Sequence, residues 1–163
     1  MELSGWTDFF VATAGAAAAL AGLVVVAISV NIERILKYRQ LPARAAAAVA
    51  MFVLILVVSL ICLADQPSLA IGLEIVAFAA VAWVLQVVAA RASASGGREN
   101  QRPAHEAQLE LLRGQVQALP FLVAGILLAL DVRAGLYVVL AGVLGAFALS
   151  MYEAWILLVE ILR

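Results

Sequence analysis

The chain has 163 residues, 66% of them hydrophobic and 13% charged, with a formal net charge of -1. Water-soluble domains average about 45–50% apolar and about 25% charged residues, and a chain this short has no core able to hide the surplus. The composition excludes an ordinary soluble domain and points to an integral membrane protein. Cys62, the only cysteine, lies in an apolar run. It permits no internal disulfide and no thiolate metal cluster, and its expected role is a small buried apolar residue.

The N-terminal "MELSGWTDFF" has no basic residue and carries Glu2 and Asp8. A cleavable signal peptide needs a positive start, so the first apolar segment is expected to be retained as a span. A helix needs about 20 apolar residues to cross the hydrocarbon. Five such spans are predicted, over 8–30, 45–64, 69–90, 116–130 and 134–161 of a single helix-bundle domain.

The first span holds "VATAGAAAALAGLVVVAIS", in which small residues fall at i and i+4. Ala14, Ala18 and Gly22 form one stripe, with Gly15 and Ala19 on the next. Lipid gives little apolar drive between helices, so association depends on close approach of backbones, which small residues allow. These positions are predicted to pack, and the bulkier "LVVVAIS" to meet lipid. "NIERILKYR" keeps a helical pattern, with Ile32, Ile35 and Leu36 opposite Glu33, Arg34 and Lys37, and reads as the first helix emerging along the interface. Pro42 suits the first turn of the second helix, where its missing N–H costs nothing.

The second and third spans are joined by "DQPS", and residues 91–115 are predicted to be a cytoplasmic linker. It opens with the polar "RASASGGRENQRP" and continues in a short amphipathic "HEAQLELLR". The fourth span is the weakest, and a re-entrant segment is its rival. Against that, the apolar region 116–159 is about two spans long and is interrupted by "DVRAG". Two helices with a tight turn fit better. The fifth span offers Ala141 with Gly145 and Gly142 with Ala146 as further packing pairs, and Gly22→Leu or Gly145→Leu is expected to loosen the fold.

Basic residues test the count. Arg34, Lys37, Arg39 and Arg44 flank the first connection, Arg91, Arg98, Arg102 and Arg113 the third, and Arg163 ends the chain. Five spans place nine of the ten Lys and Arg residues on one side, leaving Arg133 alone on the other. By the positive-inside rule that side is cytoplasmic, with the N-terminus outside and the C-terminus inside. Trp6 is expected at the outer interface, and Tyr152 and Trp155 at the inner one. Arg34, Lys37, Arg39 and Arg44 are candidates for contact with anionic lipid or a partner. Arginine-for-lysine usage and abundant alanine suggest a high-GC bacterial genome.

Polar groups at membrane depth are functional candidates because they are expensive there. Glu74, Ser59, Thr13 and Tyr137 are expected in the outer third, where a protonatable Glu74 facing hydroxyls would suit an ion or proton path. The competing expectation is that Glu74 reaches outer water or is a neutral hydrogen-bonded acid. Glu153 and Glu160 fall near the inner boundary, where solvation accounts for them. Ser29, Asn31 and Gln86 are expected to make interhelical hydrogen bonds there. His105 opens "HEAQLE" but Leu109 stands where a zincin would need its second histidine. No phosphate loop or nucleophile–base arrangement is visible, so no enzyme, cofactor or metal is expected. The basic loops are explained by orientation, so no nucleic-acid partner is expected either.

Trp6, Phe9 and Phe10, the pattern from Gly22 to Asn31 ("GLVVVAISVN") and "LPARA" from Leu41 to Ala45 resemble a group of small bacterial inner-membrane proteins of uncharacterised activity. The match covers about a quarter of the chain. It implies a multi-pass inner-membrane location and no activity. Two function classes remain. One is an assembly, scaffold or accessory protein packing with itself, as a homo-oligomer, or with another membrane protein. The other is a small oligomeric channel or transporter built on the outer polar layer.

Overall fold

The computed structural model describes residues 4–37, 41–99 and 104–162. A short 3-10 turn, Ser4–Trp6, leads into α1 (Thr7–Val30), followed by α2 (Ile32–Lys37), α3 (Leu41–Leu63), α4 (Ser68–Glu99), α5 (Ala104–Ala129) and α6 (Ala134–Leu162). Five of these, α1 and α3 to α6, are long and apolar enough to cross a membrane, as expected. The short α2 continues the first helix along one end of the bundle. Its apolar side buries Ile35 against Leu41, Ala45 and Ile28.

Helices α3, α4, α5 and α6 pack in sequence around a ring that closes between α6 and α3. Its core includes Met51, Ile55, Val58, Ile75, Ala79, Phe121, Leu128, Val139 and Val143. Helix α1 stands outside this ring and packs chiefly on α3. Accordingly, 17% of its apolar window is buried, against 56% for α3. Consecutive spans alternate in direction. The turns 64–67 and 130–133 therefore share one end with the start of α1, here the turn end. Arg44, Arg91 and Arg113 belong to the opposite, basic end.

The turn between α5 and α6 realises the break read from "DVRAG". Asp131 adopts φ 59°. Val132 N donates to Leu127 O at 2.9 Å and Asp131 N to Leu128 O at 3.0 Å, the paired bonds of a Schellman cap. The left-handed residue is usually glycine, and aspartate is among the few others that visit this region. Helix α5 is continuous through Pro120, and its stretch Leu111–Ala129 is long and apolar enough to cross a membrane.

The stretch 91–115 is not the linker expected. Helix α4 runs on to Glu99 and α5 begins at Ala104, so most of it is helix. Its Ala- and Ser-rich start contains no proline before Pro103, and extending a helix already formed fixes few new dihedrals per hydrogen bond gained.

Glycine sets the closest contact, between α4 and α5. A Cβ on Gly72 would stand 2.3 Å from Ala129 N and 2.5 Å from Gly125 O, and one on Gly125 would stand 2.9 Å from Gly72 O. Two backbones touch there with no room for a methyl group.

Candidate functional site

At the turn end, the "WTDFF" residues build an aromatic cluster. The Trp6 ring lies edge-on to Phe9 at 5.8 Å and to Tyr137 at 5.2 Å, and Phe9 meets Phe10 at 5.2 Å. Phe10 is fully buried. The cluster ties the start of α1 to the start of α6, giving the motif a structural purpose. Edge-to-face pairs of this kind add about 0.5–1.5 kcal/mol beyond burial.

The expected polar layer is not assembled as one lining within the chain. Thr13 and Ser59 are buried, but each hydroxyl donates back along its own helix, to Phe9 O at 2.7 Å and Ile55 O at 2.8 Å. Tyr137 is exposed beside Trp6. Glu74 is exposed on the outside of α4, and Gln66 Nε2 from the preceding turn donates to its Oε2 at 3.0 Å. Within one chain these four residues therefore do not line a common space: two hydroxyls are bonded along their own helices and two side chains are exposed.

Most of the small residues of α1 do not pack inside the bundle of one chain. The face of α1 turned to the bundle is Phe10, Thr13, Ala17 and Val24. Gly15, Ala18, Ala19 and Gly22 are exposed and Ala14 is half-buried. A Cβ on Gly15 or Gly22 would meet nothing within 4 Å. Between residues 12 and 19 nearly every position is Ala or Gly, so no contrast in size marks the packing side. The stripe therefore looks outward, and a Cβ added at Gly22 meets nothing within 4 Å among the described residues. On α6, Gly142 and Ala146 are buried, with Gly142 against Pro120 and Phe121. Ala141 is exposed, and Gly145 has open space around its Cβ position.

The outward face of α1 thus changes character along its length. Toward the turn end it is a shallow strip of Gly15, Ala16, Ala18, Ala19 and Gly22, and beyond it Leu23, Val25, Val26 and Val30 project. The bulkier half meets the surroundings, as expected.

At the basic end, Lys37 is exposed, while Arg44 and Glu153 are each engaged in interactions and are not free charges. Arg39 and the side chain of Arg34 lie outside the described residues. Arg113 Cζ stands 5.3 Å from the Tyr152 ring centroid. Ser29 and Asn31, expected to bond between helices, instead donate to Val25 O and Ala27 O of their own helix. Gln86 does bridge helices, donating from Nε2 to Gln117 Oε1 at 2.9 Å. Sequence reasoning missed its partner, and also the bond from Trp83 Nε1 to Gln115 Oε1 at 2.7 Å. The sequence offered only part of the signal: Trp83 and Gln86 are three residues apart on one face of α4, whereas Gln115 and Gln117 are two apart and point in different directions on α5. Among the described residues no three His, Cys, Asp or Glu side chains converge to hold a metal ion. Neither protein-family models nor curated proteins nor solved structures match this chain.

Proposed function

We propose that this multi-pass membrane protein is an assembly or accessory component that docks through the outward face of α1, with a second copy of itself as the partner. The observation that carries this reading is the open space around Gly15 and Gly22 on an exposed helix face. Large side chains are the ordinary lipid-facing choice. Small ones at i and i+4 permit backbone contact with another helix, whose gain is dispersion and interhelical bonding rather than apolar burial. The position of α1 outside the four-helix ring supports the same reading, because the ring closes without it. The proposed setting is the bacterial inner membrane with the basic end cytoplasmic, where the exposed Lys37 faces anionic lipid.

Gly15→Leu combined with Gly22→Leu tests the proposal. The variant is expected to lose the oligomer seen by light scattering in mild detergent while retaining wild-type thermal stability of its fold. An unchanged oligomer in the variant, or a wild type that is monomeric at every detergent-to-protein ratio, contradicts it.

A further inference from the structure

A hydroxyl inside a membrane helix has a cheap partner in the carbonyl one turn back. Thr13, Ser29 and Ser59 all take it, at 2.7, 2.8 and 2.8 Å. Ser150 does not. It is 0% exposed, and its Oγ has no hydrogen-bond partner among the described residues. Gln117 is also 0% exposed, and although its Oε1 accepts from Gln86, its Nε2 is likewise unpartnered. Such groups are costly when buried, so two in one region call for a shared explanation.

The register of α5 against α6 brings them to nearly the same level. Gly142 packs on Pro120 and Phe121, and nearer the basic end Arg113 lies over Tyr152. Gln117 and Ser150 both fall between these contacts, offset along the helix axes by roughly three residues, or about 4.5 Å. Helical side chains lean toward their own N-terminus. Because α5 and α6 are antiparallel, Gln117 leans toward the basic end and Ser150 toward the turn end, which closes the offset. Gly114, one turn from Gln117 on α5, packs against Gln86 of α4, its Cβ position 3.1 Å from Gln86 Cβ.

The chemistry selects the ligand. Gln86, Gln117 and Ser150 are neutral, so no ion is invited. The ligand must accept from an amide N–H and exchange a hydrogen bond with a hydroxyl. It must also be small, because the positions next in register on α5 and α6, Ala118, Phe121 and Ala146, are themselves 0% exposed. We propose that α4, α5 and α6 enclose a water-binding site in the basic-end half of the membrane. Gln117 Nε2 donates to the water, Ser150 Oγ bonds its far side, and Gln86 fixes the Gln117 amide. Buried waters characteristically make two to four such bonds to otherwise unsatisfied groups. The site ties α6 to the α4–α5 pair through a polar bridge.

Solid-state NMR of the full chain in bilayers tests this by polarisation transfer from water to side-chain amides, with the Gln117 signal assigned through Gln117→Leu. Transfer to Gln117 Nε2 is expected in wild type and in Ser150→Thr, and it should weaken several-fold in Ser150→Ala. Ser150→Ala should also lower the thermal midpoint, but add no further loss in a Gln117→Leu background, because the two groups act through one bridge. No water transfer to Gln117, transfer indifferent to Ser150→Ala, or strictly additive losses would each overturn the site. If Gln117→Leu does not fold, the contrast between Ser150→Thr and Ser150→Ala still decides.

Discussion

Gly72→Ala is the smallest change that tests how α4 and α5 are held together. The added carbon would sit 2.3 Å from Ala129 N, 2.5 Å from Gly125 O and 2.6 Å from Ala129 Cα. All three are backbone atoms, so no side chain can swing aside. Carbon contacts are comfortable near about 3.5 Å, so the two helices must part locally by about 1 Å. A gap of that size forfeits a quarter to a half of each affected dispersion contact. Overpacking of this kind typically costs about 1–3 kcal/mol, partly offset by the helix preference of Ala over Gly, about 0.8–1.0 kcal/mol. The backbone nature of the clash puts the net loss at about 1–2 kcal/mol. Gly22→Ala has the same propensity gain and no clash, so it is expected to be neutral or slightly stabilising. Reversible unfolding in mixed micelles, followed by circular dichroism, measures both. Equal stability of Gly72→Ala and wild type, or a larger loss in Gly22→Ala, would refute the packing argument.

Three further outcomes are expected. Asp131→Gly should stabilise the α5–α6 turn by up to about 1 kcal/mol, since φ 59° strains any Cβ, whereas Asp131→Val should destabilise it by about 1–2 kcal/mol; the same unfolding assay reads both. Trp6→Ala should cost about 1–3 kcal/mol by removing edge contacts to Phe9 and Tyr137, and limited proteolysis should then cut the chain earlier near its N-terminus. Ser59→Ala should shift stability by less than about 1 kcal/mol, because its hydroxyl serves only the Ile55 carbonyl of its own helix; a larger loss would imply a second partner.

The spans were legible because a membrane imposes length and apolarity on each helix separately, without reference to its neighbours. The turn at Asp131 was legible for a related reason, since polar residues interrupt an apolar run there. Rotation of a helix about its axis was harder to read. In α1 the choice between Ala17 and Ala18 as the inward residue depends on α3, and both are alanine. Glycine shows the same limit. Gly72 and Gly125 matter because α4 and α5 meet at that register, while Gly22 and Gly145 look similar in sequence and face open space. Glu74 was placed at the right end of α4, but its outward direction follows from the way α4 turns toward α5. The Gln86–Gln117 pair needed the same register before the partner could be named. Composition misled at 91–99, where "RASAS" resembles a linker but continues a helix that nothing had yet stopped.

Cysteine cross-linking in native membranes measures the docking face of α1 most directly. In a Cys62→Ala background, single cysteines at Ala18 and Gly22 would be oxidised, with Val123→Cys on the exposed side of α5 as the comparison. A disulfide requires Cα atoms within about 7 Å, a distance that two helices reach when small residues face each other. A covalent dimer is expected at Ala18 and Gly22, with little at Val123. Efficient cross-linking at Val123 with none at Ala18 or Gly22 would contradict it.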